Sequence, residues 1–248
     1  MLDRLRHAGL IWPTALSVAG LAVLIGLGTW QLQRKQWKDR LIAKMAERVA
    51  APPIWLAVDG RSRVVEPGDL DYLHVAIKGR FDHDKERYLY APAKAGLGWH
   101  VYTPLEWAPS RVVWINRGFV PDARKDPAKR RAGQVLGEVE VTGLVRVPYA
   151  KGAFTPINDV AGNLWYWPDV AAMQASTSGG ARGRALPFTI DADAEPRPPG
   201  GLPQGGVTRL DLPNRHLEYA LTWYGLALTL IGVYGAFAAS RLRLSGSP

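Results

Sequence analysis

Apolar and polar positions divide this chain into two uncharged runs, one near each end, with a long alternating region between them. From Ala8 to Gln33 no charged residue occurs, and most positions hold Leu, Ile, Val, Ala or Gly. At about 1.5 Å of rise per residue, a helix of that length outreaches the ~30 Å hydrocarbon core of a bilayer and spans it with some tilt. A cleaved signal peptide would share the basic start, Arg4 and Arg6, but its apolar core is shorter, roughly 7–15 residues, and ends at a small-residue site. This run ends in Gly28-Thr29-Trp30-Gln31-Leu32, which reads as an uncleaved anchor. The second run is Tyr219 to Ser240. Tyr219, Trp223 and Tyr224 at one end, and Arg241 and Arg243 at the other, are the expected interfacial anchors. The pattern predicts transmembrane helices over residues 9–32 and 216–240, with short tails at 1–8 and 241–248. Small residues recur four apart at Ala15/Ala19, Ala22/Gly26 and Gly232/Ala236. Such pairs let helices pack closely, but Gly and Ala are common throughout membrane helices, and that is the better account of them.

Between the spans the period changes. Trp37, Leu41, Met45 and Val49 recur every four residues among charges, which continues the first helix beyond the headgroups until Pro52-Pro53 stops it. Strand patterns follow at Tyr72 to Phe81, Glu86 to Ala91, Trp99 to Trp107, Arg111 to Phe119, Glu138 to Val147, Leu186 to Ala192 and Gly206 to Leu212. The third and fourth read as a hairpin around Ala108-Pro109-Ser110. One short helix fits Asp169 to Ala175, with Asp169 as N-cap after Pro168. Pro121 to Gly133 reads as a charged loop, and Ser176 to Gly183 and Glu195 to Gly206 as Gly/Pro-rich linkers. The expected fold class is a membrane protein: two terminal transmembrane helices flank a mostly antiparallel β domain, barrel-like or α+β, over residues 33–215.

Two spans put both tails on one side of the membrane, and charge does not choose the side clearly. Arg4, Arg6, Arg241 and Arg243 draw the tails to the cytoplasm, whereas Arg34, Lys35, Lys38, Arg40, Lys44 and Arg48 directly follow the first span. The rule weakens for loops beyond about 60 residues, and the segment between the spans is far longer. The net charge of +9 fits attraction to anionic lipid headgroups. No basic stripe with interleaved aromatics points to nucleic acid, so membrane lipid is the expected partner of these charges. There are no cysteines, which excludes disulfides, thiolate metal sites, Cys nucleophiles and CxxCH haem attachment.

No GxSxG, Walker loop, GxGxxG or HExxH occurs. Asp82-His83-Asp84 is the densest polar cluster, and it reads as an Asp-rich turn, because consecutive turn residues rarely converge on one ion. His74 and His100 fall in strands and read as structural. Arg117, a charge in an apolar strand, reads as the satisfied partner of a buried carboxylate. His216 differs. It opens the second span, and on a helix Tyr219, Ala220 and Trp223 follow at i+3, i+4 and i+7, so an imidazole and two aromatics share a face. A neutral imidazole beside aromatics at the edge of lipid suits an apolar macrocycle such as haem. The competing account is an interfacial anchor, with Arg215 and His216 among the headgroups.

Five motifs, in order, carry a family resemblance: Leu27-Gly28-Thr29-Trp30-Gln31-Leu32 with Arg34 and Trp37-Lys38; Gly98-Trp99-His100-Val101-Tyr102-Thr103-Pro104; Trp114-Ile115-Asn116-Arg117-Gly118-Phe119-Val120-Pro121; Asn163-Leu164-Trp165-Tyr166-Trp167 with Asp169; and Asn214-Arg215-His216-Leu217-Glu218-Tyr219-Ala220-Leu221-Thr222-Trp223-Tyr224-Gly225. On these the chain resembles the Surfeit locus protein 1 family over nearly its whole length, with small departures at Trp99 and Phe119. The resemblance implies a non-enzymatic assembly factor for haem-copper cytochrome c oxidase. It further implies that the chain binds haem a and assists its insertion into subunit I, with haem a synthase as a second partner. His216 matches the family's proposed ligand to haem iron, and Tyr219 and Trp223 would line the cofactor. The implied setting is the bacterial inner membrane, tails cytoplasmic and domain periplasmic. A bacterial origin fits an anchor that begins at once, with no Arg/Ser-rich presequence. The alternative is a cofactor-free membrane-anchored scaffold for oxidase subunits, and a membrane-anchored enzyme finds no nucleophile-base pair to support it.

Overall fold

The computed structural model describes residues 9–56, 70–92, 96–149, 151–177, 184–208 and 210–244. The predicted tail at 1–8, residues 245–248 of the predicted tail at 241–248, and residues 178–183 of the predicted linker at 176–183 lie outside the described residues; 241–244 are not tail but continue the last helix. Helix α1 runs unbroken over Ile11–Ala50. Among the described residues the strands are β1 (Ile54–Trp55), β2 (His74–Phe81), β3 (Arg87–Tyr90), β4 (Gly98–Ala108), β5 (Arg111–Pro121), β6 (Glu138–Arg146), β7 (Leu164–Trp165) and β8 (Arg184–Ala192). Helix α2 (Val170–Ala175) lies between β7 and β8, and α3 (His216–Leu244) closes the chain. Two compact units result, one holding α1 to Lys44 and the chain from Asp211 onward, the other Met45–Leu210.

In the first unit both helices are long and apolar enough to cross a membrane. They run antiparallel. Tyr224 lies against Gly28 and Leu230 against Gly20, positions with little or no room for a side chain. On α3, Ala220 and Ala227 are buried, which keeps the backbones close over two turns. The small pairs at four-residue spacing play no part in this seam: Gly26 and Gly232 face open space. Polar contacts cross at both ends. Thr14 and Thr29 each donate to the carbonyl four residues back, so the Tyr234 and Tyr224 hydroxyls donate to them in turn, Tyr224 at 3.1 Å. Farther along, Lys38 donates to the Pro213 carbonyl, and Asn214 Nδ2 donates to Asp39 at 2.8 Å.

The second unit is a β-barrel with additions. Strand order is β1-β2-β6-β8-β5-β4-β3-β7, and a further β2–β4 pairing closes the ring over β2, β6, β8, β5 and β4. Four of the five ring contacts are antiparallel and β5–β8 is parallel. Period-two alternation fills the barrel: Val75 and Ile77, Leu105, Val113 and Ile115, Val141 and Val145, and Phe188 and Ile190 form one apolar cluster. A second cluster, Tyr102, Trp114, Trp165, Val170 and Met173, covers the opposite face of β4 and β5. That double covering explains why β5 reads as an almost continuous apolar run.

The predicted hairpin forms, and Ser110 takes the left-handed conformation its tight turn requires. Asp169 caps α2 by accepting from the Ala172 amide at 2.9 Å. One strand expectation fails. Gly206 to Leu212 forms no strand among its described residues; its backbone instead anchors through Gly206, at positive φ, whose amide donates to the Ala192 carbonyl. The loop at Pro121 to Gly133 is more ordered than its charge suggests. It folds into the 3₁₀ turns Asp122–Arg124 and Pro127–Gly133, and it buries Arg130.

Candidate functional site

His216 is the first residue of α3, and its side chain is half-buried. Its Nδ1 stands 2.7 Å from Oε1 of Gln31 on α1. The pairing follows from the seam: Gln31 lies one turn beyond Gly28, where Tyr224 is seated, and before Lys38 and Asp39, which hold Pro213 and Asn214. Trp223 is half-buried and Ala220 is buried, so both lie toward the helix-helix side with His216. Tyr219 is 56% exposed and points outward. The predicted face is therefore divided: imidazole and indole turn inward and the phenol outward. Sequence reasoning did not single out Gln31, because nothing local marks an uncharged amide in an apolar run as a partner for a residue at the far end of the chain.

A different polar centre lies in the barrel unit. Glu86 is 3% exposed, at the start of β3. Arg130 meets its carboxylate with both Nη atoms, Nη1 to Oε1 at 3.2 Å and Nη2 to Oε2. Arg117 Nη1 donates to Oε1 at 3.3 Å while its Nη2 donates to the Gly133 carbonyl. The Tyr88 hydroxyl donates to Oε2 at 3.1 Å. His83 Nε2 lies 2.9 Å from the Val135 carbonyl, so that nitrogen carries the proton and Nδ1 accepts from Arg117 at 3.3 Å. Burial pushes the Glu86 carboxyl upward, but the guanidiniums of Arg130 and Arg117 outweigh it and hold it at about 2. Of the two, Arg130 holds more firmly, because it meets both carboxylate oxygens, whereas His83 Nδ1, without a proton and 3.7 Å from Oε1, adds no hydrogen bond. Burial also draws the Arg117 guanidinium down to about 10, against the pull of Glu86.

Three of the sequence motifs converge on this network. Thr103 and Arg117 reach the Glu86 carboxylate, and Asn163 Nδ2 donates to the Glu86 carbonyl at 2.9 Å. Asn163 also accepts from Trp165 Nε1 at 2.9 Å and holds the second core's indole in place. Asn116 Nδ2 donates to Asp191 at 2.9 Å and its Oδ1 accepts from the Gly118 amide. Arg117 thus has the buried carboxylate its sequence setting predicts. Asp82 precedes the 3₁₀ turn His83–Lys85, which holds His83 and Asp84, and no group of three or more metal-binding side chains occurs among the described residues. His74 bridges the Ala51 carbonyl through Nδ1 and Asp193 through Nε2, each at 2.8 Å. These arrangements brace the fold; among the described residues none pairs a nucleophile with a base.

Two terminal helices fit to cross a membrane, on either side of a closed β-barrel unit, define a two-span membrane protein with one folded domain between its spans. The chain belongs to the SURF1 family, whose model matches residues 18–228. It is similar to Surfeit locus protein 1 of Mus musculus, 42% identical over 221 residues covering 83% of this chain and 69% of the relative. It is similar also to the SURF1-like protein of Monosiga brevicollis, 41% identical over 241 residues, 91% of this chain and 86% of the relative. The Homo sapiens Surfeit locus protein 1 is 39% identical over 219 residues, 82% of this chain and 69% of the relative. The family is known generally for oxidase assembly, and it is an assembly-factor family rather than a catalytic one.

Proposed function

We propose that this chain carries haem a at His216 and assists its insertion into subunit I of a haem-copper cytochrome c oxidase, with haem a synthase as the donor. The observation that carries the reading is a half-buried imidazole, opening the second span, with Trp223 on its side of the helix. Haem a is cargo here, and its iron accepts an axial nitrogen ligand. A neutral imidazole supplies that ligand, and no described residue bonds its Nε2. Trp223 and the exposed apolar flank of α3, including Leu217 and Leu221, offer surface to a planar apolar ring. One axial ligand and an open wall suit a carrier, because cargo must leave as readily as it enters. The proposed setting is the bacterial inner membrane, tails cytoplasmic and domain periplasmic, which brings His216 to the outer leaflet. Reporter fusions at the tails and within the barrel unit test that orientation.

Purification of the full chain from cells making haem a, followed by its absorption spectrum, tests the cargo reading. The expected result is bound haem a, lost or spectrally altered in His216→Ala. Unchanged haem content and spectrum in that variant would overturn the ligand assignment. A second reading, a cofactor-free scaffold for oxidase subunits, draws on exposed Phe154, Ile157 and Leu136 on the barrel unit. Co-purification with oxidase subunits and no haem, in cells rich in haem a, is the outcome that favours it.

A further inference from the structure

We infer that Gln31 is the positioning residue of the His216 site: it selects the imidazole tautomer and leaves Nε2 as the ligating nitrogen. The inference deepens the haem reading and rests on it for the identity of the cargo. An amide oxygen can only accept a hydrogen bond, so the 2.7 Å contact between Gln31 Oε1 and His216 Nδ1 requires the proton on Nδ1. A neutral imidazole protonated at Nδ1 has its lone pair on Nε2. Free histidine side chains in water favour the opposite tautomer, so the amide works against that intrinsic preference.

The surrounding seam makes this contact a fixed one. On one side of it Tyr224 is seated on Gly28 and donates to Thr29. On the other, Lys38 holds the Pro213 carbonyl and Asn214 donates to Asp39, three residues and two residues before His216. The imidazole is thereby pinned between two cross-helix contacts, and its ring plane is set by Gln31. An acceptor on the far nitrogen also raises the basicity of the ligating one, as partners of metal-bound histidines do elsewhere. Gln31 therefore contributes to strength and direction of ligation without touching the cargo. Because Gln31 and His216 come from opposite ends of the chain, the ligand is set only when the two helices are paired.

The test has two arms, both on the full chain in lipid nanodiscs. In the first, with no haem, long-range 1H–15N correlation of labelled histidines reports the tautomer of neutral His216. The expected result is Nδ1–H in the unsubstituted chain and a return to Nε2–H in Gln31→Leu. Nε2–H in the unsubstituted chain overturns the inference. In the second arm the chain is loaded with haem a. Gln31→Leu is expected to weaken binding roughly 10–100-fold. Gln31→Glu keeps an acceptor at Nδ1, so it is expected to retain binding and shift the iron potential negative. Unchanged affinity in Gln31→Leu and unchanged potential in Gln31→Glu, with haem still lost in His216→Ala, overturns the role of Gln31 and leaves the cargo reading standing. Haem retained in His216→Ala overturns the assignment of His216 as the ligand, while the tautomer arm still decides whether Gln31 sets the imidazole.

Discussion

Arg130 lays both ends of its guanidinium fork on the two carboxylate oxygens of Glu86, and neither side chain reaches solvent. The pair joins a loop turn to the start of β3. Arg117 adds a second cation to the same carboxylate, so this buried centre holds more positive than negative charge. Removing the carboxylate leaves two guanidiniums desolvated and uncompensated. Glu86→Gln is expected to destabilise the barrel unit by about 3–5 kcal/mol, the usual range for breaking a buried ion pair from one side. Denaturant unfolding of the full chain in detergent, followed by tryptophan fluorescence, measures it. A loss under about 1 kcal/mol would show that water reaches the site.

The same carboxyl makes a prediction about acid. Its folded pKa of about 2 lies below the ordinary 4.5. A depressed folded pKa means the stabilisation is fully present above about 4.5 and is lost as pH falls through about 2. The amount is on the order of 3 kcal/mol, from roughly 1.4 kcal/mol per unit. Unfolding midpoints between pH 5 and pH 2 should fall more steeply in the unsubstituted chain than in Glu86→Gln.

His74 predicts the opposite slope. Burial lowers its pKa, but the Ala51 carbonyl and Asp193 outweigh burial and raise it overall. Both partners accept, so only the doubly protonated ring donates to each of them. Stability from this clasp is therefore present below the unfolded value of about 6.5 and is lost as pH rises through the raised folded value. His74→Gln should flatten the loss of stability on that alkaline side, read as the unfolding midpoint against pH.

Gly118 sits at φ 112°, with the Gln204 backbone against the space a Cβ would need. The Phe119 amide donates to the Gln204 carbonyl at 2.8 Å and accepts the Gln204 amide in return at its own carbonyl. Gly118→Ala both strains the backbone and pushes this bridge apart, for an expected loss of more than about 1 kcal/mol. Faster amide exchange at Phe119 and Gln204 in that variant checks the cause as well as the size.

Trp165 is fully buried and its indole N–H is satisfied by Asn163. Trp165→Ala should cost about 3–5 kcal/mol, as large-to-small core changes do. Asn163→Ala should cost less and act partly through the Glu86 carbonyl it also holds. Unfolding of the two single variants and their combination measures the coupling between second core and charge centre.

Much of the architecture was legible because local patterns set it. Uncharged runs marked both spans, Pro52-Pro53 marked the end of α1, and alternation marked six of the strands at β2 to β6 and β8. The barrel's closure was not legible. It depends on β2 meeting β4 through Arg80 and Phe81, a pairing that no local signal announces. Gly206 to Leu212 reads as a strand because Leu210 and Leu212 stand two apart, yet Gly206 at positive φ turns the backbone away from a ladder. At the candidate site His216 stood out because helical spacing puts an imidazole and two aromatics on one face at the mouth of the second span. Gln31, Glu86 and Arg130 stayed hidden, because their partners lie far along the chain: 185 residues separate Gln31 from His216, and 44 separate Glu86 from Arg130.

The parallel pairing of β5 with β8 has a consequence for the order of synthesis. Every other strand of the ring precedes β8, so the ring stays open until β8 leaves the ribosome. Pairings between distant segments are slow to form, and an unclosed sheet offers bare strand edges to its neighbours. For most of translation the nascent chain is thus an anchored, incomplete sheet. It becomes a closed domain shortly before α3 emerges to pair with α1. The late segment of the chain completes both units in succession, first the ring and then the helix pair that sets His216.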